Sequence, residues 1–199
     1  EIMQLQAQGC MADDWKNIHV AEGFLPETVK NVCFSGQISL GVFSKPFTLA
    51  GGIPRPAGIY HASLHNVEVA DNCRIAHIHE YIANYRIGEG TLIENIGCMA
   101  VEGESAFGNG VRVAVLNETG GRDITIYDTL SSHVAYSLTI YRHRPVFVEK
   151  MNALIDAYIA TKRSAMGEVG KGCIIRGCQS IVNVRIGDAA LLEGVRRLT

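Results

Sequence analysis

Histidine is the residue type in this sequence best suited to chemistry near neutral pH, because an imidazole can exchange a proton or bind a metal ion there. Seven histidines occur, and four of them fall between residues 61 and 79. We select three as candidate catalytic residues: His61, His77 and His79. A ring at the surface could act as the general base of a group transfer.

The spacing of these histidines leaves several arrangements open. His61 and His79 are 18 residues apart, which places one ring above the other if the chain repeats with that period. Facing inward, the two rings would form a neutral stacked pair bonded to the backbone, Tyr81 or Tyr85. Facing outward, they could be joined by His77, and three nitrogens with an open position are what catalytic zinc uses. We favour the buried pair and assign no metal ligand.

A second group of polar residues follows the same period. Asn66 and Asn84 are also 18 residues apart, and Arg86 lies two positions further along. Asparagines stacked in this way form ladders of amide hydrogen bonds, so we expect the pair to be structural. As the alternative, Asn66, Asn84 and Arg86 are our candidate substrate-binding residues for a sugar or sugar nucleotide.

Motifs of several large enzyme classes are absent. The sequence has no Walker loop, dinucleotide fingerprint, nucleophile elbow or H-E-x-x-H motif. Close carboxylate pairs are limited to scattered residues such as Glu102 and Glu104. Residues 49–52 are similar to the start of a sugar-nucleotide pyrophosphorylase signature, but Pro54 lacks a backbone N–H that a phosphate would need. We therefore expect a plain connecting loop there.

The element that must position these side chains is a repeat of six residues. Mostly apolar residues recur with this step at Val69, Ile75, Tyr81, Ile87, Ile93 and Met99, and again at Ile174, Ser180, Ile186, Leu192 and Leu198. The position four residues later is usually small, as at Cys73 and Cys178. One large and one small residue per hexad is typical of a parallel β-helix. The sequence thus predicts an all-β fold in which three hexads form one triangular coil.

Glycine-rich tetrapeptides mark the corners of the predicted coils. Residues 87–90, 107–110 and 169–172 share an apolar residue followed by Gly-x-Gly, and residues 69–72 and 186–189 are looser copies. Gly and Asn tolerate the left-handed backbone that a tight corner requires. These tetrapeptides are mostly spaced by about 18 residues, which supports the coil.

Breaks in the period divide the chain into four segments. Residues 1–58 predict an irregular N-terminal coil and a long loop, residues 59–121 regular coils, and residues 166–199 further coils. Residues 122–165 change to a helical spacing that begins its main apolar stripe after Pro145. We expect an inserted α-helical hairpin that packs on the coils and makes a subunit contact, with a lid as the alternative. We also expect the coils to continue in a longer native chain.

Composition excludes several classes of protein. The chain has 199 residues, of which 47% are hydrophobic and 19% charged, and a formal net charge of −2. It is unlike a disordered chain, and its charge balance predicts neither nucleic acid nor membrane as a partner. No apolar run reaches the roughly 18 residues of a membrane span. Six cysteines without a C-x-x-C pair, and no export signal, predict free thiols and a cytoplasmic location.

The hexads resemble those of the left-handed β-helix superfamily of hexapeptide transferases, over residues 59–121 and 166–199. The wider arrangement is similar to an uncharacterised group of long hexapeptide proteins linked to transferases and sugar-nucleotide pyrophosphorylases. The resemblance implies left-handed coils, a homotrimer, and acyl transfer from acyl-coenzyme A or another thioester donor to a sugar or amine. No other cofactor is evident.

Three functions stay open, because one fold hosts many activities. The first is a transferase domain that acylates or otherwise handles a sugar or sugar nucleotide. The second is a non-catalytic β-helical scaffold or oligomerisation module of a larger protein. The third is a metal-dependent hydratase resembling the γ-class carbonic anhydrases, which draw histidines from neighbouring coils and subunits.

Overall fold

A computed structural model describes residues 1–49, 51–114 and 120–199. The strands in these ranges are β1 (Met11–Ala12), β2 (Ile18–Val20), β3 (Val29–Leu40), β4 (Phe47–Thr48), β5 (Pro54–Arg55), β6 (Gly58–Val69), β7 (Arg74–Ile87), β8 (Leu92–Ala100), β9 (Val111–Ala114), β10 (Asp123–Ile126), β11 (Gly167–Val169), β12 (Ile174–Arg176), β13 (Ser180–Val182), β14 (Leu191–Glu193) and β15 (Arg197–Leu198). The helices are α1 (Ile2–Ala7), α2 (Ser132–Ile140) and α3 (Pro145–Ala160), with short 3₁₀ turns at Trp15–Asn17, Pro26–Thr28 and Tyr141–His143.

Most of these strands belong to one large parallel sheet of 11 strands. Strands β3, β6, β7 and β8 lie side by side in chain order. Val67 pairs with Tyr85, and Ile75 pairs with Ile93, so paired residues there are 18 positions apart in the chain. The predicted all-β class is confirmed by this sheet and by the small helical content.

One face of the paired strands forms the core. Ile59, Ile75, Ile93 and Ile175 occupy one column of register-matched positions, and all four are fully buried. Most of the predicted six-residue positions are buried as well, namely Val69, Ile75, Ile87, Ile93, Met99 and Ile186. Burial of this branched apolar column supplies the main stabilising term, at about 25 cal/mol per Å² removed from water.

The predicted six-residue phase is wrong by one position at three places. Tyr81 is exposed and Ile82 is buried in its stead, because the register shifts between Ile78 and Tyr81. Two further positions differ in the same way, since Ile175 and Ile181 are buried where Ile174 and Ser180 were expected. A shift of one residue turns every following side chain to the other face of a strand.

Residues with positive φ lie at matching positions of successive strands, in three groups. The first group is Asn31, His61, His77, Asn95, Gly177 and Gly194, the second is Gly36, Asn66, Asn84 and Asn183, and the third is Asn72, Gly90, Gly172 and Ala189. Glycine, asparagine and histidine are enriched in this left-handed region. The prediction that Gly90, Gly172 and Asn72 would adopt a left-handed backbone is confirmed.

The chain divides into two compact units. Unit 1 comprises residues 1–103 and 165–199, and unit 2 comprises Glu104–Ser164. In unit 2, β9 pairs antiparallel with β10, and α2 and α3 bury Leu138, Ile155 and Ile159. The two helices expected within residues 122–165 are therefore present.

The insertion differs from the expectation in where it begins. Val111–Ala114 was placed in the regular coils of residues 59–121, but this strand pairs antiparallel with Asp123–Ile126 of unit 2. The Gly-Asn-Gly turn at residues 108–110 leads into this hairpin, since the N–H of Gly110 donates to the carbonyl of Ile126. A glycine-rich turn serves a coil corner and a hairpin equally well. Residues 115–119 of that predicted segment lie outside the described residues.

The N-terminal residues also join the large sheet, because β1 and β2 both pair in parallel with β3. The long loop after β3 carries the short antiparallel strands β4 and β5, and the N–H of Leu49 donates to the carbonyl of Ile53 between them. This is the connecting loop expected at residues 49–52, of which Ala50 lies outside the described residues. None of the helices described is long and apolar enough to cross a membrane.

Candidate functional site

Two of the three candidate catalytic histidines, His61 on β6 and His77 on β7, belong to the first group of positive-φ residues, and His79 lies two residues further along β7. The ring of His61 stacks on that of His77, with centroids 5.4 Å apart and planes 9° from parallel. The predicted contact between His61 and His79 is wrong. Tyr60 pairs with Ala76, only 16 residues away, and the spacing returns to 18 at Leu64. The two extra residues of β7 therefore bring His77 beside His61.

These rings face the solvent, so the favoured buried pair is also wrong. His61, His77 and His79 are all exposed. The positive φ values of 52° at His61 and 56° at His77 mark a turn of the backbone rather than an extended strand, and a turn residue has no inward position to occupy. Instead of bonding to Tyr81 or Tyr85, His79 shares a hydrogen bond between its Nε2 and Oδ1 of Asn95, 2.7 Å away.

The three histidines do not form a metal site with one another. Within the ranges that the structure describes, no group of three or more His, Cys, Asp or Glu side chains could hold a metal ion. The stacked rings of His61 and His77 direct their faces toward each other, whereas metal ligands must direct their nitrogens to one point. The single-chain ligand set considered for a hydratase is therefore not assembled.

A serine and a histidine that sequence reasoning missed lie in hydrogen-bond contact. Ser35 Oγ is 2.8 Å from Nδ1 of His65, which has the geometry of a nucleophile beside a base. Cys33 and Tyr81 line the same cleft of about 490 Å³. The sequence does not reveal this contact, because the two residues are 30 positions apart and only the parallel register of β3 and β6 brings them together.

The neighbouring hydrogen bonds show which of the two groups, Ser35 Oγ or His65 Nδ1, donates the hydrogen bond between them. The backbone N–H of Gln37 donates to Oδ1 of Asn66, so the amide nitrogen of Asn66 must be the group that faces Nε2 of His65. Nε2 therefore accepts, and a neutral His65 carries its hydrogen on Nδ1 and donates it to Ser35. A histidine that donates to a serine cannot remove that serine's proton, so this pair is not an activated nucleophile.

The two candidate asparagines form the predicted ladder, which is confirmed. Nδ2 of Asn66 donates to Oδ1 of Asn84 at 3.1 Å, and Nδ2 of Asn84 donates to the carbonyl of Val101 at 2.9 Å. With Oδ1 of Asn66 already accepting from Gln37, the amide of Asn66 is committed to neighbouring strands. This arrangement supports the structural interpretation of both residues.

Arg86, the third candidate for substrate binding, lies in a row of alternating charges on the outer face of unit 1. Its Nε donates to both carboxylate oxygens of Glu68 at 3.2 Å. Arg185 forms a second close ion pair with Glu168, which is register-matched to Arg86. All four side chains line a cleft of about 620 Å³, together with Lys171. Lys171 forms no ion pair within the described part of the chain.

The floor of this cleft is backbone, because its lining includes Gly88, Gly170 and Gly187. A Cβ on Gly88 would collide with the backbone of Gly170, and a Cβ on Gly170 would collide with that of Asp188. The glycines are thus required for close stacking of neighbouring strands. The N–H groups of Gly88 and Gly170 donate to the carbonyls of Val169 and Ile186, so the groups of this cleft best suited to a phosphate are the cationic side chains.

A second cleft of about 540 Å³ adjoins the first, since Ser39 and Glu68 line both. His19 also lines this second cleft, together with the candidate residue Asn66. His19 is exposed and register-matched to Ser39. None of the three predicted catalytic histidines lines either cleft. His19 was missed because its own segment lacks the six-residue pattern.

Two buried groups near the core are too weakly acidic to act as nucleophiles. Burial raises the pKa of the Cys73 thiol to about 12, and its Sγ lies 3.1 Å from the carbonyl of Gly88. Burial likewise raises the pKa of Tyr85 to about 12, and its hydroxyl donates to the carbonyl of Val184. All six cysteines lie in the described ranges, and none is disulfide-bonded there. The predicted inward positions of Cys73 and Cys178 are confirmed.

The sequence of this chain matches a family and a relative whose descriptions name no activity. The profile of a family described as "Domain of unknown function (DUF4954)" matches residues 1–199. An uncharacterized protein of Treponema pallidum (strain Nichols) is 26% identical over 209 residues, a match covering 100% of this chain and 29% of that protein. The chain therefore spans less than a third of the length of this curated relative. No solved structure matches the chain.

Proposed function

We propose a function for this chain from the premise that it belongs to the DUF4954 family, whose description names no activity. The first part of the proposal concerns the fold. The parallel sheet is a left-handed β-helix of hexapeptide coils, and the three groups of positive-φ residues are the three corners of each triangular coil. Support comes from the 18-residue register and from the buried column at Ile75, Ile93 and Ile175. The hand rests on the resemblance to hexapeptide transferases.

The second part is that unit 1 binds a phosphorylated ligand of the sugar-nucleotide or coenzyme A kind, as a transferase-type domain. The observation that carries this is the cleft of about 620 Å³, whose lining brings three cationic side chains together. These are Arg86, Lys171 and Arg185, and they lie among Glu68, Glu168 and Asp188. The volume of the cleft is in the usual range for small-molecule sites. The backbone N–H groups of Gly88 and Gly170 already donate to the carbonyls of Val169 and Ile186, so the guanidinium and ammonium groups would be the donors to a diphosphate.

Within this proposal the charges have different tasks. Lys171 has no acidic partner in the described ranges, so its ammonium is available to a phosphate at once. Arg86 and Arg185 are held by Glu68 and Glu168, which orients the guanidinium groups while leaving other N–H donors outward. These pairs are half exposed, and exposed ion pairs are weak enough to be exchanged for a ligand.

The proposed transfer step would use acyl-coenzyme A or another thioester as donor and a sugar or amine as acceptor. A general base would take a proton from the acceptor as it attacks the thioester carbonyl, and the thiol would leave with a proton. His19 is the histidine that lines the adjoining cleft. The assignment of His61, His77 and His79 as catalytic residues stays a prediction. None of these three histidines lines the two clefts.

Direct binding tests this proposal. The full chain is titrated with acetyl-coenzyme A and with a uridine-diphosphate sugar by calorimetry. We expect Lys171→Ala to weaken binding of the preferred ligand about tenfold, since a charge-assisted hydrogen bond contributes about 1.5–3 kcal/mol when desolvated and less at a surface. Lys30→Ala, at an exposed lysine outside the cleft, is the matched control. No binding of either ligand, or equal losses in both variants, would contradict the proposal.

A scaffold without catalysis is the second candidate, and a specific observation favours it. Outward polar groups of unit 1 already bond to each other: Asn66 to Asn84, Glu68 to Arg86, and the buried Arg74 to Glu94. Side chains that satisfy one another need no ligand. Failure of the calorimetric titrations with a protein that is folded and oligomeric would favour this candidate.

We also infer a homotrimer and a cytoplasmic location with reduced thiols. The trimer rests on the resemblance to hexapeptide transferases, and light scattering of the purified chain tests it. Four cysteines are buried, at Cys10, Cys73, Cys173 and Cys178, where a reduced thiol packs as a small apolar group. Thiol titration of the unfolded, non-reduced protein should find six free thiols.

A further inference from the structure

The turn between α2 and α3 collects arginine and lysine side chains that form no ion pair within the described residues, and Nδ1 of His143 lies 3.2 Å from the carbonyl of Ile140. Arg142, His143 and Arg144 are consecutive, and Lys150 follows about one helical turn into α3. All four side chains are exposed. Throughout the described ranges, no acidic side chain forms an ion pair with Arg142, Arg144 or Lys150, whereas Lys162 and Arg163 of the same unit do have partners.

Apolar side chains are interleaved with these cations. Val146 is 63% exposed, and Tyr141 is 45% exposed with its ring 5.5 Å from that of Phe147. Arg144, Val146, Phe147 and Lys150 line one shallow cleft of about 410 Å³. We name this surface the hairpin tip and define it as Tyr141, Arg142, His143, Arg144, Val146, Phe147 and Lys150.

The solvent-facing side of the helices extends the apolar surface beyond the hairpin tip. Val146, Lys150 and Leu154 are spaced by four residues and so lie on one face of α3, and Leu154 is 67% exposed. Helix α2 contains no Asp, Glu, Lys or Arg and leaves Tyr136 and Ile140 exposed. Helix α3 also exposes Glu149 and Asp156, so the exposed apolar side chains form a strip beside charged groups. Such an exposed strip indicates a partner.

We propose that the hairpin tip docks onto an anionic phospholipid surface. The unpaired cations complement the negative headgroups, while Val146, Tyr141 and Leu154 reach the boundary of the acyl chains, as in amphipathic segments that lie on membranes. This partner was not expected from the sequence, because a net charge of −2 averages over a chain whose cations are concentrated locally.

The chemistry of the hairpin tip disfavours other occupants. A symmetric contact with a second copy would bring Arg142, Arg144 and Lys150 of both copies together, and like charges at an interface are costly. Nucleic acid would use the cations but would leave Val146 and Leu154 without an apolar environment. An anionic lipid surface uses both kinds of side chain at once.

Co-sedimentation with vesicles tests the proposal on the full chain. Phosphatidylcholine vesicles with and without about one third phosphatidylserine are compared at about 0.1 and 0.5 M salt. We expect binding only to the anionic vesicles, and weaker binding at high salt. The double variant R144E/K150E should reduce the partition coefficient at least about thirtyfold, because each surface cation contributes a factor of about five. K16E/K30E, with the same charge change at exposed lysines of unit 1, should bind like the parent chain.

A second variant, V146S/L154S, separates lipid docking from simple charge attraction. Both side chains are exposed, so the fold should be retained, and we expect clearly reduced vesicle binding. Equal binding to neutral vesicles, or unchanged binding in R144E/K150E, would overturn the proposal. Tighter binding to single-stranded or duplex oligonucleotides than to anionic vesicles would overturn it too, as would self-association that V146S/L154S abolishes.

Discussion

The paired strands of unit 1 and the hairpin tip of unit 2 treat apolar and charged side chains in opposite ways. In unit 1, Ile75 and Ile93 are fully buried and the outward arginines Arg86 and Arg185 are paired with glutamates. In unit 2, Leu154 and Val146 are exposed and the arginines of the hairpin tip are unpaired. These residues of unit 1 are therefore buried or paired within the unit, whereas the hairpin tip presents its apolar and cationic side chains to the solvent.

The largest expected effect contrasts one apolar residue from each unit. Ile93→Ala should lower the free energy of unfolding by about 2–5 kcal/mol, because it removes a fully buried side chain from a tightly packed column. Leu154→Ala should change it by less than about 0.5 kcal/mol, since that side chain is 67% exposed. Urea unfolding of both variants measures the difference. Equal destabilisation would break the comparison by showing that Leu154 is packed in the native protein.

Alkaline pH should also act on unit 1. Burial raises the pKa of Cys73 from its ordinary value of 9.0 to about 12, so the folded state holds a proton that the unfolded state has lost between those values. Stability from this group is complete below pH 9 and falls as pH rises, by about 1.4 kcal/mol per unit. Tyr85 acts in the same direction above pH 10.

Removing the titrating groups tests that assignment. Cys73→Ala and Tyr85→Phe should each flatten the loss of stability between pH 9 and 11, measured by urea unfolding at several pH values, while lowering stability at pH 7. Cys33→Ala, at an exposed thiol, should leave the alkaline slope unchanged. An equal slope in the parent chain and in Cys73→Ala would show that the thiol is not shielded from water.

The all-β class could be predicted because large and small residues alternate with a fixed step, and Ile75, Ile93 and Met99 follow that step into the core. The step fails locally at Tyr81, where a register shift buries Ile82 instead, and it holds again at Ile87 and Ile93. The start of the insertion was missed because the Gly-Asn-Gly of residues 108–110 has the same chemistry at a hairpin turn as at a corner.

The site was less predictable than the fold. The ladder of Asn66 and Asn84 was foreseeable from an 18-residue spacing. The contact of His61 with His77 depends on two extra residues in β7, which the average period conceals. Each cleft is lined by side chains from several strands. The sequence around His19 or Lys171 alone therefore does not predict that these residues line a cleft.

A smaller effect compares two positive-φ positions of unit 1. Asn84→Gly keeps a residue suited to its φ of 60° but removes the ladder bonds to Asn66 and Val101. His77→Gly likewise keeps a tolerated φ and removes only an exposed ring stack. The entropic cost of a new glycine is common to both, so the excess for Asn84→Gly should be about 1–2 kcal/mol. Equal unfolding midpoints would show that the asparagine ladder adds no stability.

The smallest effect concerns an exposed carboxylate of unit 2, Asp128, that does have a hydrogen-bond partner within the unit. The hydroxyl of Tyr158 donates to Oδ1 of Asp128 at 2.6 Å, and this bond, assisted by Lys162, lowers the pKa of Asp128. Tyr158→Phe should move that pKa back toward its ordinary value, followed by NMR titration of the Asp128 side chain, whereas Tyr136→Phe, on an exposed ring, should not. Because the folded pKa is lowered, the contact stabilises the unit above the ordinary carboxyl pKa and is lost as pH falls through the folded value. The change in stability should be slight, since the carboxylate is at the surface and screened by water. An unchanged Asp128 pKa in Tyr158→Phe would show that Lys162 alone holds the carboxylate, which would reduce the internally satisfied groups of unit 2 still further.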